Sequence, residues 1–334
     1  MIVLGGDIGG TKTLLRLAQV NEKEHKQQDV LAEKRYISAD YADLESMLKH
    51  FFKSTQKIIE PHEIASACFA LAGPVVHSES NQTATVTNLP WQLDSNSIAH
   101  ELGLERVKLI NDFEAIAYGI DALNENNFEI LQAGITNPLG NSVILGAGTG
   151  LGMCQIIRNA DGYSVVPSEG GHWDFAATTV KQLELLRYML DRHEHVSYDR
   201  LVSGNGLVNI FSFLVHRDGL SQQPMVNDIL KNSDPAAAIS AAIEHLPIAN
   251  ETIELFVELY GAIAGNLALF SLATGGVYLA GGIAPKLIPN LKSPLFLKAF
   301  NSKGRLSYLQ KNIPVKVIMN PKAGLLGAVV AATN

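Results

Sequence analysis

Asp7-Ile8-Gly9-Gly10-Thr11 places a carboxylate, two glycines and a hydroxyl within five residues. Glycines allow successive backbone N–H groups to converge on an anion, which makes the loop a candidate phosphate cradle. The Asp7 carboxylate would repel a phosphate unless a magnesium ion lay between them, with Asp7 binding the ion or its water. Thr11 adds a hydroxyl donor. A second loop, Gly146-Ala147-Gly148-Thr149-Gly150, again sets a hydroxyl between glycines, and two such loops suit the β- and γ-phosphates of a nucleotide. Two familiar nucleotide loops do not fit: Thr11 stands where a P-loop requires Lys, and Leu151 falls where a dinucleotide fingerprint requires its third glycine.

An acceptor side is also legible. Val107-Lys108-Leu109-Ile110 reads as a strand ending in Asn111-Asp112, with a helix beginning at Phe113. Either polar residue could simply cap that helix, yet open α/β sheets also place catalytic groups beyond the carboxyl ends of their strands. Glu169-Gly170-Gly171-His172 sets an acceptor and a donor-acceptor around two residues without side chains, an arrangement suited to neighbouring sugar hydroxyls. His193 and His195 flank Glu194 at a helix end and read as solvated residues, not metal ligands. Cys68 and Cys154 lie in apolar runs without CxxC spacing and read as buried free thiols.

These residues need elements to position them. Ile2-Val3-Leu4, Val143-Ile144-Leu145 and Val277-Tyr278-Leu279-Ala280 each run into glycines and read as buried strands delivering a turn to a sheet edge. The first two turns lead into further apolar runs, Leu14 to Val20 and Met153 to Ile157, so both are expected to be hairpins. They lie about 140 residues apart, which suggests two structurally similar halves. Lys181 to Glu194 is expected to be a helix with Leu183, Leu186 and Leu190 on its apolar face, and Asp234-Pro235 to start another.

The whole chain is consistent with this plan. Its 334 residues suit two domains, 47% hydrophobic with 18% charged residues describes a globular chain, and strands mixed with helices in both halves give an α/β class. A net charge of −7 without long basic runs argues against nucleic acid as a partner. No charged residue occurs between Glu258 and Lys286, but six glycines interrupt the stretch, so a buried helix followed by a buried strand is expected and not a membrane span. Met1 leads directly into an apolar run with no basic leader, which points to the cytoplasm.

Taken together, Gly6-Asp7-Ile8-Gly9-Gly10-Thr11, Ile110-Asn111-Asp112-Phe113, Gly146 to Gly152, Glu169 to His172, Leu201-Val202-Ser203-Gly204, Ala280-Gly281-Gly282-Ile283 and Gly324-Leu325-Leu326-Gly327 resemble the bacterial glucokinases of the hexokinase, actin and Hsp70 superfamily. Seven motifs occur in the family's order from end to end. The resemblance implies a two-domain actin-like ATPase fold of the hexokinase and ribonuclease H-like type, with an interdomain cleft. Residues 1–121 plus 319–334 would form a small α/β domain with the first phosphate loop. Residues 122–318 would form a large one with the second loop, the sugar cluster and the adenosine site. It further implies ATP and Mg2+ as donor, and the 6-hydroxyl of glucose as acceptor. Asp112 matches the general base, while Asn111, Glu169, His172 and Asp199 match sugar contacts. Gly6, Asp7, Ile8, Gly9, Gly10, Thr11, Gly148, Thr149, Gly150, Gly281 and Gly282 match nucleotide contacts, with the last two offering a flat backbone to the adenosine. A homodimer stays open. The alternatives are a sugar kinase of broader hexose specificity, or a sugar-sensing regulator that has kept the fold and lost transfer.

Three residues depart from the family pattern. Asp199 replaces the usual Glu, so its hydroxyl contact is expected to be water-mediated or less selective. Lys12 replaces Asn, as in the broader repressor-and-sugar-kinase family, whose cysteine-rich zinc motif and DNA-binding module are absent. Asn205 replaces proline and is expected to alter a loop.

Overall fold

A computed structural model of the chain describes residues 1–21, 28–59, 61–160 and 162–334. Internal contacts divide it into two compact units, Met1–Asn127 with Asn320–Asn334, and Phe128–Met319.

The first unit holds β1 (Ile2–Ile8), β2 (Lys12–Val20), β3 (Gln28–Ile37), β4 (Ser66–Leu71), β5 (Val75–His77), β6 (Gln82–Thr85), β7 (Gln92–Asp94) and β8 (Val107–Asn111). Its main sheet has the order β3-β2-β1-β4-β8. β1 pairs antiparallel with β2 and parallel with β4, and β4 pairs parallel with β8. Successive side chains of the central strands alternate between two cores. Leu4, Phe69 and Leu71 join Met47, Phe51 and Trp91 on one face. Val3, Cys68 and Ala70 meet Ala328, Val329 and Ala332 of the helix Ala323–Thr333 on the other. That face is lined by small residues because the helix backbone comes close: a Cβ on Gly5 would lie 2.6 Å from the Val329 side chain.

The second unit holds β9 (Phe128–Gln132), β10 (Ser142–Ala147), β11 (Leu151–Asn159), β12 (Gly162–Ser168), β13 (Gly276–Ala280) and β14 (Val315–Ile318), in the order β12-β11-β10-β13-β14-β9. Its first five strands repeat the order and directions of the first unit's main sheet, with β9 added antiparallel at the edge. The two glycine hairpins therefore sit at matching places: β1 turns into β2 after Ile8 pairs with Thr13, and β10 turns into β11 after Ala147 pairs with Leu151. The expected similarity of two halves is thus present in topology, although little of it survives in residue identity.

The uncharged stretch forms the end of the helix Pro247–Ser271 and then β13, as expected. Most of the helix is buried, and Gly261 and Gly265 admit the backbone of Phe296 and Phe300 from the neighbouring helix. Asp234 caps the helix Pro235–Ala241 by accepting from Ala237 N–H at 3.0 Å. Two expectations are corrected. The helix expected over 181–194 spans Val180–Leu190 and buries Gln182, Leu185 and Met189; of the three leucines expected inside, Leu186 packs partly against the core while Leu183 and Leu190 are more than half exposed. Leucines occur on both sides of this helix; the core takes the side that buries Leu185 and Met189, and Gln182 is tolerated there because its carboxamide oxygen accepts from Thr178 N–H at 2.8 Å. Asn205 is also placed differently. It lies in the first turn of the helix Gly204–Arg217, not in a loop, because Ser203 caps that helix and its early N–H groups need no intrahelical acceptor.

Candidate active site

In the first unit, Asp7 is the penultimate residue of β1, and the Gly9-to-Lys12 turn closes on itself through Gly9 N–H donating to Lys12 O at 3.0 Å. Ser38, at the end of β3, anchors the turn. Its N–H donates to Thr11 O at 3.1 Å and its hydroxyl to Gly9 O at 2.8 Å. The N–H groups of Gly10 and Thr11 have no acceptor among the described residues, so the loop presents two donors and the exposed Thr11 hydroxyl outward. The Asp7 carboxylate accepts no hydrogen bond from a described residue. Burial raises its pKa and Lys12 opposes the rise. Gly324 lies beside it, where a Cβ would come within 3.4 Å of Asp7 Oδ2.

Asn111 ends β8 and caps the helix Asp112–Gly119, its Oδ1 accepting from Phe113 N–H at 2.9 Å. The capping role and a place at the strand's carboxyl end coincide. Its Nδ2 donates to Gly73 O at 3.1 Å, which fixes the carboxamide from both ends. Asp112 is the first residue of the helix, half-buried, with Oδ1 accepting from Phe113 N–H at 3.0 Å. The helix is held by the C-terminal one through glycines: a Cβ on Gly327 would lie 1.6 Å from Ala115 O, and one on Gly119 would lie 2.3 Å from Ala323 O. A segment more than 200 residues away in sequence thus sets where Asp112 stands.

In the second unit, the Gly148-to-Gly150 turn closes through Gly148 N–H donating to Gly150 O at 2.8 Å, and the Thr149 and Gly150 N–H groups have no described acceptor. Gly148 O accepts from Gly204 N–H at 2.8 Å, at the start of the helix that Ser203 caps. Gly281 adopts φ +81°, and its Cα packs so closely on β10 that a Cβ would lie 2.5 Å from Ala147 O. The Gly281-Gly282 turn therefore adjoins the base of the Gly148-to-Gly150 turn. Glu169 and His172 are exposed at either end of a tight turn, and neither side chain has a described protein partner. Gly171 presses this turn onto β11, where a Cβ would meet Leu151 O at 2.0 Å. Asp199 lies between turn and loop: its N–H donates to Gly171 O at 2.8 Å, and its Oδ1 accepts from Leu151 N–H at 2.7 Å.

The glucokinase family model matches residues 4–334. The chain belongs to the glucokinase family. It is 42% identical over 348 aligned positions to a glucokinase of a Nostoc species, covering 100% of this chain and 99% of that one. The glucokinase of a Synechocystis species is 41% identical, covering 99% and 98%. A crystal structure of glucokinase from an Antarctic psychrotroph superposes with a TM-score of 0.86 at 28% identity, covering 99% of this chain and 98% of that one. The fold of this glucokinase-family chain is that of the actin-like ATPases.

No group of three or more His, Cys, Asp or Glu side chains suited to a metal occurs among the described residues. One carboxylate free of protein donors fits magnesium, which commonly keeps its waters and takes phosphate oxygens with only one or two protein carboxylates. His193 and His195 belong to no such group, and His195 Nε2 pairs with Asp174 Oδ1 at 2.8 Å on the surface. Cys68 and Cys154 are buried and outside any disulfide, and burial pushes the Cys68 thiol far above its usual range.

Residues that the motifs did not single out complete the first unit's cluster. Ser38 holds the Gly9-to-Lys12 turn, Gly73 receives the Asn111 amide, and the Thr87-Asn88 turn packs on Gly10, whose Cβ would lie 3.2 Å from both Thr87 O and Asn88 Cβ. Asn88 has φ +65°, a left-handed conformation that Asn tolerates in turns, and Gly73 has φ +133°. Asn88-Leu89-Pro90 is a recognisable turn signal, whereas nothing in the local sequence marks Ser38 as a loop anchor.

Proposed function

We propose that this chain transfers the γ-phosphoryl group of ATP to the 6-hydroxyl of glucose, with Asp112 as general base. The observation that carries the reading is family membership across residues 4–334. In this reading the 6-hydroxyl oxygen bonds to the γ-phosphorus while the bond to the β–γ bridging oxygen breaks. ADP leaves and the hydroxyl proton passes to the Asp112 carboxylate. Phosphoryl transfer has a loose transition state, so the acceptor needs orientation and a late proton acceptor more than early deprotonation. The helix start beneath Asp112 and the doubly held Asn111 carboxamide support those two roles.

Glu169 and His172 hold sugar hydroxyls, a role supported by their exposed and unpartnered side chains. Gly10 and Thr11 in the first unit, and Thr149 and Gly150 in the second, each offer free backbone N–H groups and a hydroxyl suited to phosphate oxygens, and the Gly281-Gly282 backbone is suited to adenosine. Mg2+, when bound beside Asp7, neutralises phosphate charge that would otherwise oppose attack. The chain acts in the cytoplasm on glucose and ATP.

The test is glucose-dependent ADP production by the purified protein with ATP and Mg2+. Asp112→Ala should lower kcat by about 10²–10⁴-fold, the usual worth of a positioned base, with glucose binding retained. Turnover equal to the unmodified protein would remove Asp112 from the role.

A further inference from the structure

Asp199 is the shorter acid where glucokinases usually carry Glu, and its surroundings give it work other than holding a sugar. Its Oδ1 accepts from Leu151 N–H at 2.7 Å, at the first residue after the Gly148-to-Gly150 turn. Its N–H donates to Gly171 O at 2.8 Å, within the Glu169-to-His172 turn. Its carbonyl accepts from the Ser203 hydroxyl at 2.7 Å, and that hydroxyl also accepts from Gly206 N–H at 3.0 Å to cap the helix Gly204–Arg217. The same helix start donates to Gly148 O through Gly204 N–H. One residue thus joins the phosphate loop, the sugar turn and a helix terminus.

The glycines around it show how little room this junction leaves. A Cβ on Gly150 would lie 2.7 Å from Asp199 Oδ1, so only glycine at the loop tip lets the carboxylate reach Leu151. On the other side of the same residue, Gly171 approaches Leu151 O, where a Cβ would come within 2.0 Å. Leu151 is therefore held at its N–H by the Asp199 carboxylate and packed at its carbonyl against Gly171 of the sugar turn.

We propose that Asp199 is a positioning residue whose carboxylate holds the Gly148-to-Gly150 loop in register with the Glu169-to-His172 turn, so that its loss weakens nucleotide binding as well as sugar binding. The proposal rests on reading Gly148-to-Gly150 as a phosphate loop. A side chain that served only as a sugar ligand would leave the nucleotide indifferent to its removal. A carboxylate that shapes the loop backbone would not, because the loop's free N–H groups are the ones aimed at phosphate.

The experiment is calorimetric titration with Mg·ADP in the absence of sugar, and separately with glucose, on the unmodified protein, Asp199→Ala and Asp199→Asn. Asparagine keeps an oxygen able to accept from Leu151 N–H and removes the charge. Asp199→Ala is expected to weaken Mg·ADP by about tenfold or more, the usual worth of a hydrogen bond to a charged group. Asp199→Asn is expected to stay within about threefold of the unmodified protein, since a neutral hydrogen bond at the same place is only modestly weaker. Far-UV circular dichroism and thermal melting establish that each variant is folded. If Asp199→Ala proves unfolded, Asp199→Leu removes the same acceptor while keeping a side chain of similar shape, and is expected to weaken Mg·ADP in the same way. Unchanged Mg·ADP affinity in the folded alanine variant, with glucose affinity alone reduced, overturns the proposal. Equal losses in the Ala and Asn variants overturn it too, because charge and not the N–H contact would then be responsible. An unmodified protein that binds no Mg·ADP would instead overturn the phosphate-loop reading on which the proposal stands.

Discussion

Gly327→Ala is the sharpest test of how the fold positions Asp112. The new methyl carbon would lie 1.6 Å from Ala115 O, 2.6 Å from Ala115 C and 2.7 Å from Gly119 N, all backbone atoms of the helix that Asp112 begins. Backbone cannot turn aside as a side chain can, so the helices must separate by roughly 2 Å to restore ordinary contact in a close-packed interior. Overpacking of this kind usually costs about 1–3 kcal/mol, and a contact with backbone belongs at or above the upper end. Catalysis should suffer more than stability, since a misplacement of about 1 Å can cost roughly 10²-fold in rate. Urea unfolding would be compared with Gly148→Ala, where a Cβ meets nothing within 4 Å and stability should be unchanged, and steady-state kinetics with glucose would be compared with the unmodified protein. A Gly327→Ala variant with unaltered unfolding midpoint and kcat would refute the view that this helix contact sets the position of Asp112.

Two further predictions concern charge. Burial would raise the Glu33 pKa, but hydrogen bonds from Lys322 and Arg16 outweigh it and hold the pKa below 4.5. A depressed folded pKa contributes stability above the unfolded value that is lost as pH falls through the folded one. Glu33→Gln should therefore lower stability at pH 7 and show a shrinking deficit below about pH 4.5 in denaturant melts; a deficit independent of pH would contradict this. Asp7 has the opposite shift, since burial raises its pKa, and its ionised form costs stability above the ordinary carboxylate range. Asp7→Asn should leave the ligand-free protein at least as stable at pH 7 while raising the Mg2+ concentration needed for half-maximal rate by roughly tenfold or more. A destabilised variant with an unchanged Mg2+ requirement would argue for a structural Asp7.

The parts of the site that can be read from sequence are those whose signal is local. Asp7 to Thr11 and Gly148 to Gly150 announce hairpins because apolar runs flank glycines on both sides, and the strand pairing places both turns as expected. Asn111 announces a strand-to-helix junction because one side chain suits both a cap and a strand's carboxyl end. Ser38, Gly73 and Thr87 are less visible, since long-range strand pairing brings them to the site: Lys12 pairs with Ile37, which sets Ser38 against the loop. The helix Val180–Leu190 fails to declare its buried face for a related reason, because its leucines surround it and the face with Leu185 and Met189 also carries the polar Gln182, whose partner Thr178 lies outside the helix. Asp199 shows the limit most clearly. Its motif suggests a sugar ligand, while its bond to Leu151 N–H depends on glycines at 150 and 171 whose spacing from it is fixed only in three dimensions.

The most direct measurement is product formation by the purified protein supplied with ATP, Mg2+ and glucose, following ADP and phosphorylated sugar separately by ³¹P NMR. The account predicts that glucose 6-phosphate and ADP appear in equal amounts and that neither accumulates when glucose is omitted. ADP formed at the same rate without sugar, or no phosphorylated hexose across glucose and its epimers, would contradict it.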